Sequence, residues 1–304
     1  MKKNKQKILI ISLSVFLIAA IAALVLVCTR FGKDKDTDNG SQGKSGIQAT
    51  DNNPSVSTPS TEESTTEEPT TEAPTEDPLV SRDKKYNDMA IKARENGQKV
   101  VYLTFDDGSS ELTSQVLDTL DRYGVKATFF VVGNFSGSDE NAKKNYNDII
   151  SRDNTLGLHS LTHDRSLIYS SLEEFKKDYN TMYDYMKELT GIAPYVSRFP
   201  GGSSTSYADE KMVTQFIPYV KEMGLVYYDW NVSSGDGAVI SSDGVYQRVT
   251  EGVANNDVSV VLMHDGSGHE ETVKALPRIL DKLIEMNCVI LPITQSTDPV
   301  QASL

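Results

Sequence analysis

Apolar positions fall into three regimes along the chain. Ile8 to Cys28 is an unbroken apolar run, interrupted only by Ser12 and Ser14. Residues 31–80 hold almost no large apolar side chains. Beyond them, short runs of β-forming residues alternate with stretches whose apolar positions repeat at helical spacing. The runs predict strands at Val100–Phe105, Ala127–Val132, Thr155–His159, Tyr195–Phe199, Leu225–Trp230, Val258–His264 and Cys288–Ile293. Between them, Leu112, Val116, Leu117 and Leu120 share one helical face, with Gly124 as a stop. Leu276, Ile279, Leu280 and Leu283 repeat the pattern near the end. Strands separated by helices imply parallel βαβ units. Periodicity alone leaves the choice between a closed barrel and an open sheet.

The first run is long enough to matter physically. Twenty-one helical residues span roughly 30 Å, the thickness of a hydrocarbon core. Lys2, Lys3, Lys5 and Lys7 precede it, which orients the N-terminus inward and the rest outward. Residues 1–30 are therefore expected to be a basic start and membrane anchor. Two alternatives are a signal peptide cut near Ala20–Ala23 and lipidation at Cys28, although Val27 is large for a lipobox. All three export the remainder.

Residues 31–80 carry 3 Lys against 11 Asp and Glu, with Thr, Ser and Pro between them. Such a segment buries too little apolar surface to offset chain entropy and is expected to be a disordered, extended linker. Residues 81–304 then form a single domain, long enough for one core.

Charge narrows the partners. The chain has 30 Lys and Arg against 43 Asp and Glu, a net charge of −13, which argues against binding nucleic acid. Cys28 and Cys288 are too few for a disulfide scaffold. There is no P-loop, no G-x-G-x-x-G and no G-x-S-x-G.

The chemistry-bearing residues concentrate where the predicted strands end. They are Thr104-Phe105-Asp106-Asp107-Gly108, His159-Ser160-Leu161-Thr162-His163, Arg198-Phe199-Pro200-Gly201, Asp229-Trp230 and Leu262-Met263-His264-Asp265. In a parallel α/β fold, that rim is where sites assemble. Each string alone has an ordinary reading, as a turn, a loop or packing; five strand exits in order do not. Asp107, His159 and His163 supply one carboxylate and two imidazoles, the donor set of a catalytic zinc site with an open position. Cobalt, nickel or manganese would also suit it. Asp106 is placed to act as base, with Arg198 pairing its carboxylate and keeping it ionised. His264 is placed as acid, with Asp229 expected to hold its imidazole and raise its pKa. Gly201 offers a backbone N–H to a developing oxyanion. The set describes metal-assisted hydrolysis of an amide or ester.

These motifs resemble the polysaccharide deacetylase family, also called the NodB homology domain or carbohydrate esterase family 4, over roughly Lys99 to Ile293. The resemblance implies a distorted parallel (β/α) barrel of about seven strands. It also implies Asp106 as base, Asp107, His159 and His163 as metal ligands, and removal of acetyl groups from N-acetylated sugars. Arg198 and Pro200 match the R-x-P motif, Asp229-Trp230 the end of the fourth motif, and Leu262-x-His264 the fifth. By the same analogy Trp230 and Leu262 wall a pocket for the acetyl methyl. Two departures concern the groove: Gly201-Gly202 replaces the common Tyr-Gly, and Val226 stands where a further acid is often found.

The expected protein is a membrane-tethered, extracellular, zinc-dependent deacetylase acting on peptidoglycan N-acetylglucosamine. Rival substrates are N-acetylmuramic acid, poly-N-acetylglucosamine, chitin oligomers and acetylxylan esters. A non-catalytic wall-binding module is the rival from another class.

Overall fold

A computed structural model of the chain describes residues 78–133 and 138–304. The expected anchor and nearly all of the expected linker lie outside the described residues. Among the described residues, no helix is long and apolar enough to cross a membrane.

The described chain begins with α1 (Pro78–Glu95), three residues inside the segment read as linker. There follow β1 (Val100–Asp106), α2 (Glu111–Tyr123), β2 (Thr128–Val132), α3 (Asp139–Ser151) and β3 (Thr155–Ser160). After the short α4 (Arg165–Ile168) come α5 (Leu172–Thr190) and β4 (Val196–Ser197). A π-helical turn at Met212–Phe216 runs into α6 (Ile217–Glu222), then β5 (Val226–Tyr227) and β6 (Val232–Ser233). The chain ends with α7 (Ser242–Ala254), β7 (Val258–His264), α8 (Glu270–Glu285) and β8 (Val289–Ile290).

The helices obey their sequence signals. Ser110 caps α2 by accepting from Leu112 N–H, and Gly124 ends it at φ +65°, the left-handed geometry that glycine tolerates without a Cβ clash. Leu276, Ile279, Leu280 and Leu283 are all buried on the inner face of α8.

The sheet is wholly parallel, in the order β5-β4-β3-β2-β1-β7-β6, with β8 pairing the start of β1. It curls into a half-barrel; β5 and β6, its two edges, are not paired with each other. Each edge strand is only two residues long. The link from Tyr228 to Asn231 crosses directly from one edge to the other, so there is no length over which a ladder can form. The C-terminal segment covers the gap: Asp229 N–H donates to Val300 O at 2.8 Å, and Gln301 reaches Tyr227 O. The expected distorted barrel takes the form of a curled parallel sheet whose two edges are joined by a crossing link, and β6 is an element the apolar pattern did not show.

Alternation along β1 positions the site. Val101, Leu103 and Phe105 point outward into the cluster shared with the helices. Val100 and Tyr102 point inward to a second cluster, with Phe130, Val196, Tyr228, Val260, Leu291 and Ile293. The next two inward positions are Thr104 and Asp106. The interior is thus apolar where the strands start and polar where they end. Tyr86, Ala90 and Ala93 of α1 plug the apolar end. These three residues, at i, i+4 and i+7, make one helical face, but the surrounding charge hides it in the sequence.

Candidate active site

Asp107 follows β1 at φ +68°, a left-handed conformation that a short polar side chain tolerates at some strain. His163 is similarly placed at φ +54°. Its loop is organised by Asp178 of α5, which accepts from Ser160 Oγ, Leu161 N–H, Thr162 N–H and Thr162 Oγ. Ser160 Oγ in turn accepts from His163 N–H at 2.9 Å. The sequence reading did not single out Asp178; an acid in the middle of an amphipathic helix carries no distinguishing local signal.

Three side chains converge here. Asp107 Oδ1 lies 3.5 Å from His159 Nε2 and 3.2 Å from His163 Nε2. The three ligating atoms lie within 4.8 Å of one another. Two further observations fit a cation. Asp107 Oδ1 is buried with no hydrogen-bond partner. His159 uses Nδ1–H on Arg198 O at 2.7 Å, which leaves the Nε2 lone pair facing the carboxylate. Burial also pushes His159 down to about 3, against the opposing charge of Asp107, so its imidazole is neutral, as a ligand must be.

Asp106 sits beside this cluster, with Oδ2 3.8 Å from His159 Nε2. Its Oδ1 accepts from Arg198 Nη1 at 2.8 Å. Arg198 is completely buried, with its guanidinium held by four acceptors. It also donates to Thr104 Oγ, Tyr228 O and Asp229 O, and its guanidinium lies 4.3 Å over the Phe130 ring. The pairing matches the expectation, but its electrostatic outcome differs. Burial raises the Asp106 carboxyl above its usual range, even though Arg198 and His264 pull the other way. Desolvation of a fully enclosed carboxylate outweighs one guanidinium shared among four acceptors.

The partner of His264 is Asp236 rather than the expected Asp229. Its Nδ1 bonds Asp236 Oδ1 at 2.7 Å, and its backbone N–H donates to Asp236 Oδ2 at 2.9 Å. Thr272 Oγ and Ser234 Oγ complete the cradle of Asp236. Burial lowers the His264 pKa, but the Asp236 bond and charge, with Asp106 and Asp107, raise it to about 9. Asp229, expected in this role, turns its carboxylate elsewhere: it accepts from Ser203 N–H, Ser203 Oγ and Ala302 N–H. It anchors the turn after Arg198 to the C-terminal segment. The sequence signal pointed seven residues too early because Asp229 is followed by Trp230, whereas Asp236 is followed by Gly237. A Cβ on Gly237 would lie 3.6 Å from His264 Cε1, so this exposed glycine borders the imidazole. His269, the fourth histidine, stacks on His264 with centroids 4.9 Å apart.

The remaining predicted residues line the approach. Pro200 is buried, and its carbonyl accepts from Tyr169 OH at 3.1 Å. Gly201 lies at φ +83° and is exposed; Gly202 N–H is spent on Phe199 O, whereas Gly201 N–H has no hydrogen-bond partner among the described residues. Trp230 is half-buried, with its six-membered ring about the Gly202 position and its indole 5.7 Å from the Arg198 guanidinium. Leu262 faces inward two residues before His264 on β7.

Comparison with known proteins agrees with this geometry. Residues 93–222 match the polysaccharide deacetylase family. A Bacillus cereus peptidoglycan-N-acetylglucosamine deacetylase is 31% identical, covering 69% of this chain and 74% of that protein. A bifunctional xylanase/deacetylase of Pseudobutyrivibrio xylanivorans is also 31% identical, covering 61% of this chain and 28% of that much longer one. The catalytic domain of peptidoglycan N-acetylglucosamine deacetylase from Eubacterium rectale superposes with a TM-score of 0.63 at 37% identity, covering 67% of this chain and 93% of that one. With Asp106, His264 and the Asp107, His159 and His163 cluster gathered at the polar end of a curled parallel sheet, the chain belongs to the polysaccharide deacetylase family of enzymes.

Proposed function

We propose that the protein hydrolyses N-acetyl groups of an extracellular polysaccharide, with peptidoglycan N-acetylglucosamine as substrate and zinc as its metal. The observation that carries this reading is the pairing of two oppositely charged proton carriers across one cluster of ligands. Asp106 is held by Arg198, and His264 is held by Asp236. The names of the Bacillus cereus and Eubacterium rectale proteins support the substrate. The apolar run at residues 8–28 supports a membrane anchor with the enzyme outside, within reach of the wall.

Asp107, His159 and His163 would hold the metal, which when bound polarises a carbonyl and lowers the pKa of water. Asp106 Oδ2 accepts a proton from the attacking water; its Oδ1 stays fixed on Arg198. Burial that raises its pKa makes it a stronger base. Gly201 N–H donates to the oxygen that gains charge. His264, protonated at neutral pH, gives its proton to the departing sugar nitrogen. The products are acetate and a free amine. Leu262 and Trp230 face the acetyl methyl.

The test is acetate release from peptidoglycan by the zinc-loaded protein, with mass spectrometry of the glycan fragments. Loss of one acetyl from N-acetylglucosamine is expected, abolished by a chelator and by Asp106→Asn. Release from acetylxylan alone would replace this reading with an esterase.

A further inference from the structure

Arg165 follows the ligand His163 by two residues and opens α4. Its side chain leans across the turn that follows Arg198. Nη1 lies 3.2 Å, and Cδ 3.3 Å, from the position a Cβ on Gly201 would take. On its other side the guanidinium stacks on the Tyr207 ring, 5.0 Å from the centroid. Tyr207 is 50% exposed, unusual for an aromatic with no role in packing. Among the described residues, Arg165 has no ion pair. The neighbouring acid, Asp164, is committed to capping: it accepts from Ser166 N–H, Ser166 Oγ and Leu167 N–H. A guanidinium stacked on an aromatic face keeps its N–H edge free for a planar acceptor.

Two things make this pair notable. It stands against Gly201, whose N–H has no hydrogen-bond partner among the described residues, so a group bound at that N–H lies beside Arg165. The pair also contrasts with its surroundings: the metal cluster, Asp106, Asp236 and Asp265 make the interior acidic, and the whole chain carries −13. A neutral sugar needs no cation at such a mouth, whereas a sugar bearing a carboxylate does.

We infer that Arg165 and Tyr207 form a subsite that reads a carboxylate on the sugar next to the one being deacetylated, with the sugar ring against Tyr207. The substrate class is an amino-sugar polymer with carboxylates on alternating residues, rather than a neutral homopolymer. This rests on the deacetylase reading above and narrows it. Both residues act on binding, so the effect falls on KM.

The experiment compares wild type, Arg165→Gln and Arg165→Lys on three polymers. These are neutral β-1,4 N-acetylglucosamine oligomers, glycan strands with a free carboxylate on every second sugar, and the same strands with those carboxylates converted to neutral amides. Losing one exposed charge-assisted hydrogen bond corresponds to about a tenfold loss. Arg165→Gln is expected to raise KM about tenfold on the carboxylated strand and to leave the neutral oligomer and the amidated strand within about twofold. Arg165→Lys should recover part of the loss, and salt should narrow the gap between polymers. Equal loss on all three polymers, or no loss on any, overturns the inference. Calorimetric binding of the carboxylated strand reads the subsite without turnover: an unchanged Kd in Arg165→Gln overturns it equally. Absence of acetate release from all three polymers by wild type, with binding still dependent on Arg165, would fail the deacetylase reading and leave the subsite standing.

Discussion

Asn in place of Asp236 keeps the shape of the His264 cradle and removes its charge. That charge matters because burial by itself depresses the imidazole; the Asp236 hydrogen bond and its charge are the largest contributions in the other direction, followed by Asp106 and Asp107. With them, His264 stands at about 9; without the Asp236 charge it is expected to fall toward its ordinary 6.5. At about 1.4 kcal/mol per pH unit, the carboxylate stabilises the imidazolium by about 3 kcal/mol. A group raised in this way is protonated below its pKa and loses its proton as pH rises through it. If His264 is the acid, kcat follows the protonated fraction. At pH 8 that fraction is about 0.9 in wild type and about 0.03 in Asp236→Asn, a loss of about thirtyfold. Near pH 5.5 both forms are almost fully protonated, and the protonation-dependent loss nearly vanishes. A cation held at Asp107 would lower both values together and preserve their separation. The assay is kcat for acetate release from pH 5 to 10 at saturating metal and substrate. The alkaline limb should move acidward by about two pH units or more. A defect of the same size at every pH, or a limb that stays in place, would refute the assignment of His264 and Asp236.

Asp229→Asn is the matched control: it should lower stability by about 1–3 kcal/mol in urea unfolding, because an amide NH2 in place of Oδ2 leaves Ser203 Oγ and Ala302 N–H without their acceptor, while the alkaline limb keeps its wild-type position. Arg198→Met should strand the buried Asp106 carboxylate and cost about 3–5 kcal/mol in the same unfolding measurement. Gly266→Ala would bring a Cβ to 2.9 Å from Asp107 O and 3.1 Å from Asp107 Cβ. Backbone cannot yield cheaply there, so zinc affinity measured by competition with a chromophoric chelator should fall by about 10–100-fold, with the circular dichroism spectrum retained.

Much of the site was legible along the chain. Asp106 and Asp107 are adjacent, and His159 and His163 are four apart, so one strand end and one loop bring each pair to the rim. The period-two pattern of β1 tells which residues face inward. Asp178 was invisible because its four donors belong to a loop it meets only after α5 packs. α1 was missed because three inward residues among many charges are too weak a periodic signal.

Short-range alternation and spacing along the chain already specify the parallel α/β character, the polar rim and the residue types gathered there. Tertiary structure decided which acid serves His264. Asp229 and Asp236 both follow β5, seven residues apart. The link between the sheet edges turns Asp229 toward Ser203 and Ala302. The register of β6 on β7, Val232 beside Val261 and Ser233 beside Leu262, carries the chain past the strand end so that Asp236 meets His264. Strand register is a pairing between distant segments, and local composition holds no record of it.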